Sequence, residues 1–400
     1  MKRRHFIKSA AAASAACLLP HCGQSSEKPN ILWITCEDMS PHLGCYGDPE
    51  AVTPNLDHLA RQAVRYDNAY ATAPLCTPAR SSLITGVYAS TLGTQHLRGV
   101  VPKPDSIRCF TEYLREHGYY CSNNSKEDYN FQTPDAAWDE SSETAHWRNR
   151  PADKPFFSVF NFLTTHQSKT RYGEKELEDV NKSLTRDKRY DPESIPLPPY
   201  YPDTPKVRTN MTAFYTQVTR LDQQVQEILD QLQQDGLSEN TIVFFYSDHG
   251  DGLPRGKRWL HDSGIKVPLI IRFPEKYQHW APVGPGSRTD QLVSFIDFAP
   301  TVLNLAGIPI PAVMQGQPFL RTKALKRKPV AAIRDRVDEV LECSRTLHDG
   351  HYQYIRNFMP HRPRMQRSFY SERTPIRQEL RRLHKAGKLL NPVNLSGERE

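Results

Sequence analysis

The stretch APLCTPARSSLITG, Ala73 to Gly86, sets a cysteine two residues before a proline and four before an arginine, at the mouth of an apolar run. Thr77 can cap a helix here and Pro78 suits its first position, so a helix is predicted from this point to about Gly86. Cys76 would then sit at the positive end of the helix dipole, beside unpaired N–H groups that favour an anion. Arg80, one turn on, can point its guanidinium back at the same spot. A nucleophile so placed can attack an anionic ester while its surroundings hold the charge. A cysteine simply packed at a helix start fits the same residues equally well, and this geometry alone does not separate the two.

Other residues able to do chemistry stand at the ends of apolar runs. NILWIT (Asn30–Thr35) reads as a short buried strand leading into Cys36, Glu37 and Asp38. Pro155–Leu163 reads as a second, with His166 just beyond it, and Thr241–Tyr246 as a third, running into Asp248 and His249. Val267–Phe273 is a fourth. Helices alternate with them. One has Thr53 as cap and Pro54 first; another spans Thr212–Gly236 with Phe214, Val218, Leu221, Val225, Ile228 and Leu232 at helical spacing. The alternation predicts an α/β fold. In open α/β sheets the ligand crevice lies beyond the carboxyl ends of the strands, so Glu37, Asp38, His166, Asp248 and His249 are expected to converge. Loop starts are polar in any protein; three ends carrying metal-type ligands say more than one. The polar, Pro-rich stretch Ser168–Asn210 is expected to pack no regular element.

Cys76-Thr77-Pro78-Ala79-Arg80, followed by Leu83-Ile84-Thr85-Gly86, resembles the signature of formylglycine-dependent sulfatases of the alkaline phosphatase superfamily, and the likeness runs from about Pro29 to about Phe358. The resemblance implies an alkaline phosphatase-like α/β sandwich with a central mixed, mostly parallel sheet (residues 29–320) and a small C-terminal α+β subdomain (330–400). It implies that a formylglycine-generating or sulfatase-maturating enzyme oxidises Cys76 before folding, and that the hydrated aldehyde attacks sulfur. PNILWITCED resembles the family's first strand, which ends in two aspartates binding calcium; Asp38 matches, and Glu37 departs by one methylene. FFYSDHGD resembles the second metal segment, which implies Asp248 and His249 as ligands, with the modified Cys76, of Ca²⁺ or else Mg²⁺. GKRWLHDSGIKVPLI resembles the stretch whose lysine grips sulfate, which points to Lys257. NFLTTHQ ends where the family has a sulfate-contacting or leaving-group histidine, giving His166. In GYYCSNNSKEDYNF, Lys126 matches the family's Gly-Lys-x-His, but Asp128 replaces the histidine and is expected to contact sugar or hold Lys126. Together Arg80, Lys126 and Lys257 would spread the developing negative charge, and His166 would protonate the leaving group. EDMSPHLGCYGD and TLGTQHLRG look closest to sulfatases related to N-sulfoglucosamine sulfohydrolase. They imply His96 and Arg98 as substrate-binding residues, and a sulfated sugar or polysaccharide carrying O- or N-sulfate as substrate. CSRTLHDGHYQYIRNF resembles the subdomain's hairpin with Gly350 at its turn; the likeness fades after about Phe369, where the family usually continues.

MKRRHFIKSAAAASAACLLPHC begins basic and continues as an Ala-rich run too short to span a bilayer. Arg3-Arg4 with Phe6 and Lys8 resembles a twin-arginine export signal, so residues 1–26 are expected to be a leader, and the protein periplasmic or at the cell surface. Leu19-Pro20-His21-Cys22 is a poor lipoprotein box, which leaves a lipid anchor at Cys22 as the lesser alternative. The net charge of +7 over 400 residues favours anionic partners in general. No repeat, zinc knuckle or aromatic RNA-binding motif accompanies it, so no nucleic-acid partner is expected. The arginines at 362, 364, 367, 373, 377, 381 and 382 are expected to form a solvated helical face. The eight cysteines are too scattered for a disulfide framework, and most are expected to be small buried hydrophobes. Two other functions fit the resemblance: a phosphate or phosphonate ester hydrolase on the same fold, and a non-catalytic sulfated-glycan-binding protein, should Cys76 stay a thiol or Glu37 spoil the metal site.

Overall fold

A computed structural model describes residues 28–321 and 329–389. The expected leader and Cys22 lie outside the described residues. Its strands are β1 (Asn30–Cys36), β2 (Val64–Tyr70), β3 (Tyr120–Asn124), β4 (Glu140–Ser141), β5 (Phe156–Phe162), β6 (Thr241–Ser247), β7 (Leu269–Arg272), β8 (Arg288–Ser294), β9 (Val330–Arg334), β10 (Ser344–His348) and β11 (Gln353–Asn357). The first eight form one sheet in the order β4-β3-β5-β1-β6-β7-β2-β8, in which β7 alone runs against its neighbours. The last three form a small antiparallel sheet, β11-β10-β9, and Gly350, at φ 100°, turns the β10–β11 hairpin as expected.

The apolar runs behave as central strands because both faces of the sheet are covered. Along β1, Ile31 and Trp33 join one core with Phe110, Phe157, Phe244 and Phe298. Leu32, Ile34 and Cys36 join the other, where the helix Pro205–Gln234 lays down Phe214, Val218, Leu221 and Val225. Trp33 meets Phe157 edge-on at 4.9 Å and Tyr246 at 5.4 Å, so the middle of the sheet is locked by rings. Strand β1 pairs in parallel with β5 and β6 in matched register, Cys36 opposite both Phe162 and Ser247. That register brings residues 37–38, 163–166 and 248–249 out at one edge. Among the described residues, no helix is long and apolar enough to cross a membrane.

Several local expectations are corrected. The signature helix spans Cys76–Thr85 with Leu75 as its N-cap, because the Leu75 carbonyl already accepts from Ala79 N–H; Thr77 is not the cap and Pro78 is the third residue. Gly86 ends it in the left-handed conformation, its N–H returning to Ser82 O. Thr53 precedes the helix Pro54–Arg61 but its hydroxyl makes no cap bond; it donates instead to Asp57 Oδ1 at 3.2 Å. The stretch 168–210 is not wholly irregular: it contains the helix Glu174–Lys182 and the first turns of Pro205–Gln234, capped by Thr204. The C-terminal arginines are not one solvated face, since Arg377 is buried and shares Glu372 with Arg381. The six cysteines within the described residues are all free, four of them buried.

The 248–251 turn is held by a close backbone approach. Gly250 N–H donates to Gly264 O at 3.0 Å, and a Cβ on Gly264 would stand 2.0 Å from Trp259 O and 2.5 Å from Gly256 O. These are carbonyls of a packed loop and cannot step aside singly. Gly264→Ala is therefore expected to destabilise the fold by about 3 kcal/mol. Urea unfolding checks this; an unchanged midpoint would show that the approach is not needed.

Candidate active site

Three carboxylates emerge, fully buried, from the ends of β1 and β6: Glu37, Asp38 and Asp248. Asp38 sits at φ 55°, a left-handed conformation rare outside glycine, which turns its side chain into the cluster while its backbone N–H still reaches Asp248 Oδ1. Three cations face the carboxylates. Lys257 Nζ donates to Asp38 Oδ1 at 2.7 Å and Oδ2 at 3.0 Å. Lys126 Nζ donates to Glu37 Oε1. Arg80 bridges the set, with Nε on Asp248 Oδ2 at 3.2 Å, Nη2 on Glu37 Oε1 at 3.2 Å and Nη1 on Asn161 Oδ1 at 2.7 Å. The guanidinium therefore holds carboxylates in place instead of pointing at the helix N-terminus.

Burial alone would neutralise such groups, but their neighbours decide the outcome. Burial pushes Asp38 up, yet Lys257, His166 and His249 together hold it well below the ordinary carboxylate range. Asp248 is likewise lowered against burial, by His249 and Arg80. Glu37 is raised, first by burial and then by the charge of Asp248. Burial pushes the His249 imidazole down, but Asp248 and Asp38 lift it to about 10. His166 is pulled down to about 4, mostly by burial, and is neutral at pH 7 without a substrate anion beside it.

Within this cluster two buried atoms have no hydrogen-bond partner: Glu37 Oε2 and His249 Nε2. The imidazole nitrogen is 3.0 Å from Asp38 Oδ1, close but not aligned for a hydrogen bond. Ligand atoms of Asp38, Asp248 and His249 lie within 4.8 Å of one another, as do those of Glu37, Asp38 and His166. An orphaned carboxylate oxygen and an orphaned imidazole nitrogen among converging carboxylates fit a cation, and an oxygen-rich ligand set fits a hard one such as Ca²⁺ or Mg²⁺. Glu37→Asp is expected to keep metal affinity, and Glu37→Ala to weaken it by more than about 10-fold. Calorimetric titration of Ca²⁺ into chelator-treated protein checks this, and equal affinity in parent and alanine variant would remove Glu37 from the ligand set.

Cys76 lies buried in the first turn of its helix, packed against Leu97 and Val337, with its sulfur 3.9 Å from Thr77 Oγ1 and within electrostatic reach of Lys126 and Lys257. Asp128 holds both flanking cations: Arg98 bidentately, at 3.0 and 3.2 Å, and Lys126 at 3.5 Å. Arg98 is 62% exposed at its side chain and stands at the rim. His166 Nε2 approaches Asp38 Oδ2 at 3.9 Å while Nδ1 pairs with Ser168 Oγ at 2.8 Å. His96 is the outlier: its carbonyl accepts from Asn130, and among the described residues no hydrogen bond or ion pair ties its ring to the cluster. Three residues that frame the site were not singled out from the sequence. Asn161, at the end of β5, accepts from Arg80 and from Thr35; Gln167 N–H donates to Asp38 Oδ2 at 2.7 Å; Arg258 reaches Gln167 Oε1 at 3.2 Å. Gln167 and Arg258 directly follow His166 and Lys257, and that adjacency was the signal.

Residues 29–308 match the family model described as Sulfatase. A protein named ulvan-active sulfatase, from Formosa agariphila, is 40% identical over 407 aligned residues, covering 91% of this chain and 66% of its own length. Human N-sulphoglucosamine sulphohydrolase is 28% identical, covering 74% of this chain and 66% of its own. The chain thus spans a little under two thirds of the length of both relatives. Among solved structures, a 2-O GAG sulfatase superposes with a TM-score of 0.65 at 19% identity, over 90% of this chain and 91% of that one, which matches the fold. The family match covers the eight strands of the large sheet, the signature helix and each residue of the buried cluster, and on it the chain belongs to the sulfatase family.

Proposed function

We propose that the protein is a hydrolase of sulfate esters, or of N-sulfate groups, on a sulfated sugar or polysaccharide, with Cys76 converted to formylglycine as its nucleophile. The observation that carries this reading is the burial of Cys76 in the first turn of its helix, within electrostatic reach of Lys126 and Lys257, the two lysines that hold Glu37 and Asp38 of the carboxylate cluster. The names of the relatives support the substrate class.

Glu37, Asp38, Asp248 and His249, with the modified residue 76, would hold a Ca²⁺ or Mg²⁺ ion. Such an ion polarises sulfate oxygens and lowers the pKa of the attacking hydroxyl. The chain's own groups do the rest. Lys126 and Lys257 flank the position of the sulfate and oppose the charge that develops on its oxygens. Arg80 acts through Glu37 and Asp248, which it holds in place. His166 is set to protonate the leaving group; bound sulfate adds negative charge beside its ring and opposes the burial that keeps it neutral. Arg98, at the rim, and Asp128, which holds it from below, meet the sugar. In this reading residues 1–26 export the protein to the periplasm or cell surface, 29–320 carry the site and 330–400 form the smaller subdomain. A formylglycine-generating or sulfatase-maturating enzyme is the partner that activates it.

Mass spectrometry of the Cys76 peptide from protein made with such an enzyme tests the reading, alongside turnover of paired aryl sulfate and aryl phosphate esters. The expected result is a loss of about 18 Da at Cys76, as oxygen replaces sulfur and two hydrogens are lost, and a preference for sulfate. Full turnover from protein whose Cys76 is an unmodified thiol would overturn it, and a preference for phosphate would move the protein to the phosphoester hydrolases.

A further inference from the structure

A small cavity lies beside the active site, between the Lys257–Trp259 segment, the end of β9 and the chain around Ser368. Four arginines line it, with Trp259 and Ser368 among the remaining walls: Arg258, Arg334, Arg364 and Arg377. Three of the four, Arg258, Arg334 and Arg377, are more than nine-tenths buried. Arg377 is well met, with its Nε 2.7 Å from Glu372 Oε1. The other two buried arginines are not. Arg258 comes no nearer than 3.8 Å to Asp338 and gives a single hydrogen bond, to the neutral oxygen of Gln167. Arg334 is 3.5 Å from Glu342 and lies over Trp259 at 5.5 Å. The Nε–H of each is buried without a partner. Burial drives Arg334 down to about 10, with Arg258 and Arg377 adding to it and Glu342 opposing.

Two guanidiniums with unmet donors and incomplete neutralisation, facing one cavity, are poorly served by water, which supplies an acceptor but no charge. The space open to a guest's centre is about 10 Å³, room for one small guest. We propose that this cavity binds one monatomic anion, chloride in ordinary media, held between Arg258 and Arg334. The anion would complete the charge balance that Asp338 and Glu342 leave unfinished. It would also fix Arg258, whose Nη1 holds Gln167, whose own N–H holds Asp38. The proposal is independent of the reaction assigned above, because none of its readouts needs turnover.

Two measurements on the full chain decide it. Crystals grown in bromide should show an anomalous peak between Arg258 and Arg334. Thermal unfolding at constant ionic strength should shift upward by several degrees, saturably, as chloride or bromide replaces gluconate. Arg334→Gln should flatten that titration. Absence of a bromide peak in the cavity overturns the proposal and leaves water as the occupant. A halide response in Arg334→Gln parallel to the parent's also overturns it. Should that variant fail to fold, the bromide peak in the parent decides alone.

Discussion

Cys76→Ala is expected to lose turnover by about 10⁴-fold or more while keeping the fold, as removal of a nucleophile does elsewhere. The residue is buried in a helix whose every side chain is buried, so the exchange removes one sulfur from contact with Leu75, Leu97 and Val337 and leaves the backbone untouched. The stability loss should stay near 1 kcal/mol. Binding of sulfated substrate should persist, because Lys126, Lys257 and the carboxylate cluster are intact. Sulfate release measured beside calorimetric substrate binding checks both halves. Parental turnover in the variant would make Cys76 a packed helix-start residue and remove the nucleophile from the mechanism.

Arg80→Ala should be the most damaging single change for stability. The guanidinium is buried and pairs with two buried carboxylates at once, Glu37 and Asp248. Removing one partner of such a set costs about 3–5 kcal/mol, because the charges left behind stay out of water. Arg80→Lys keeps the charge but not the fork that spans both acids, so it should recover only part of the loss. The pH dependence gives a second readout. Arg80 lowers the pKa of both carboxyls, so without it both rise in the folded state, and Glu37 already starts raised by burial and Asp248. At Glu37 the folded variant then binds its proton more tightly than the unfolded chain does, and that contribution to stability falls as pH rises. The deficit relative to the parent should therefore be smaller near pH 5 than near pH 8, about the ends of the accessible range. A deficit that grows toward acid would show that Arg80 does not act through Glu37 and Asp248.

The residues that converge were legible because they end strands. A central strand buried on both faces reads as a continuous apolar run, and its last residue marks where the crevice begins. That is why Glu37, Asp38, His166, Asp248 and His249 could be grouped across more than two hundred residues. The sequence pattern failed where a partner from elsewhere decides the outcome. Arg80 was read from its own helix, as a group one turn from Cys76. Its direction is set by Glu37 and Asp248, which only the assembled sheet brings within 3.2 Å. The helix start was misplaced for a more local reason: Leu75 supplies the first accepting carbonyl, and a main-chain group leaves no trace in composition. The helix Glu174–Lys182 hid inside a Pro-rich stretch because its regular part is short, with Leu177 its fully buried apolar anchor.

The signature helix Cys76–Thr85 is buried along its entire length, and Cys76 itself is only 2% exposed. If residue 76 is modified as proposed, its chemistry is in a race. The fraction of molecules that become active is a partition between two first-order processes, modification of an open chain and closure of the sheet over it. The sheet is dominated by pairings distant in sequence, β1 with β5 and β6 and β2 with β8, and such topologies close slowly. Slow folding, elsewhere a liability, here widens the interval in which the thiol can be reached. Substitutions that hasten folding should lower specific activity without altering any group in the site.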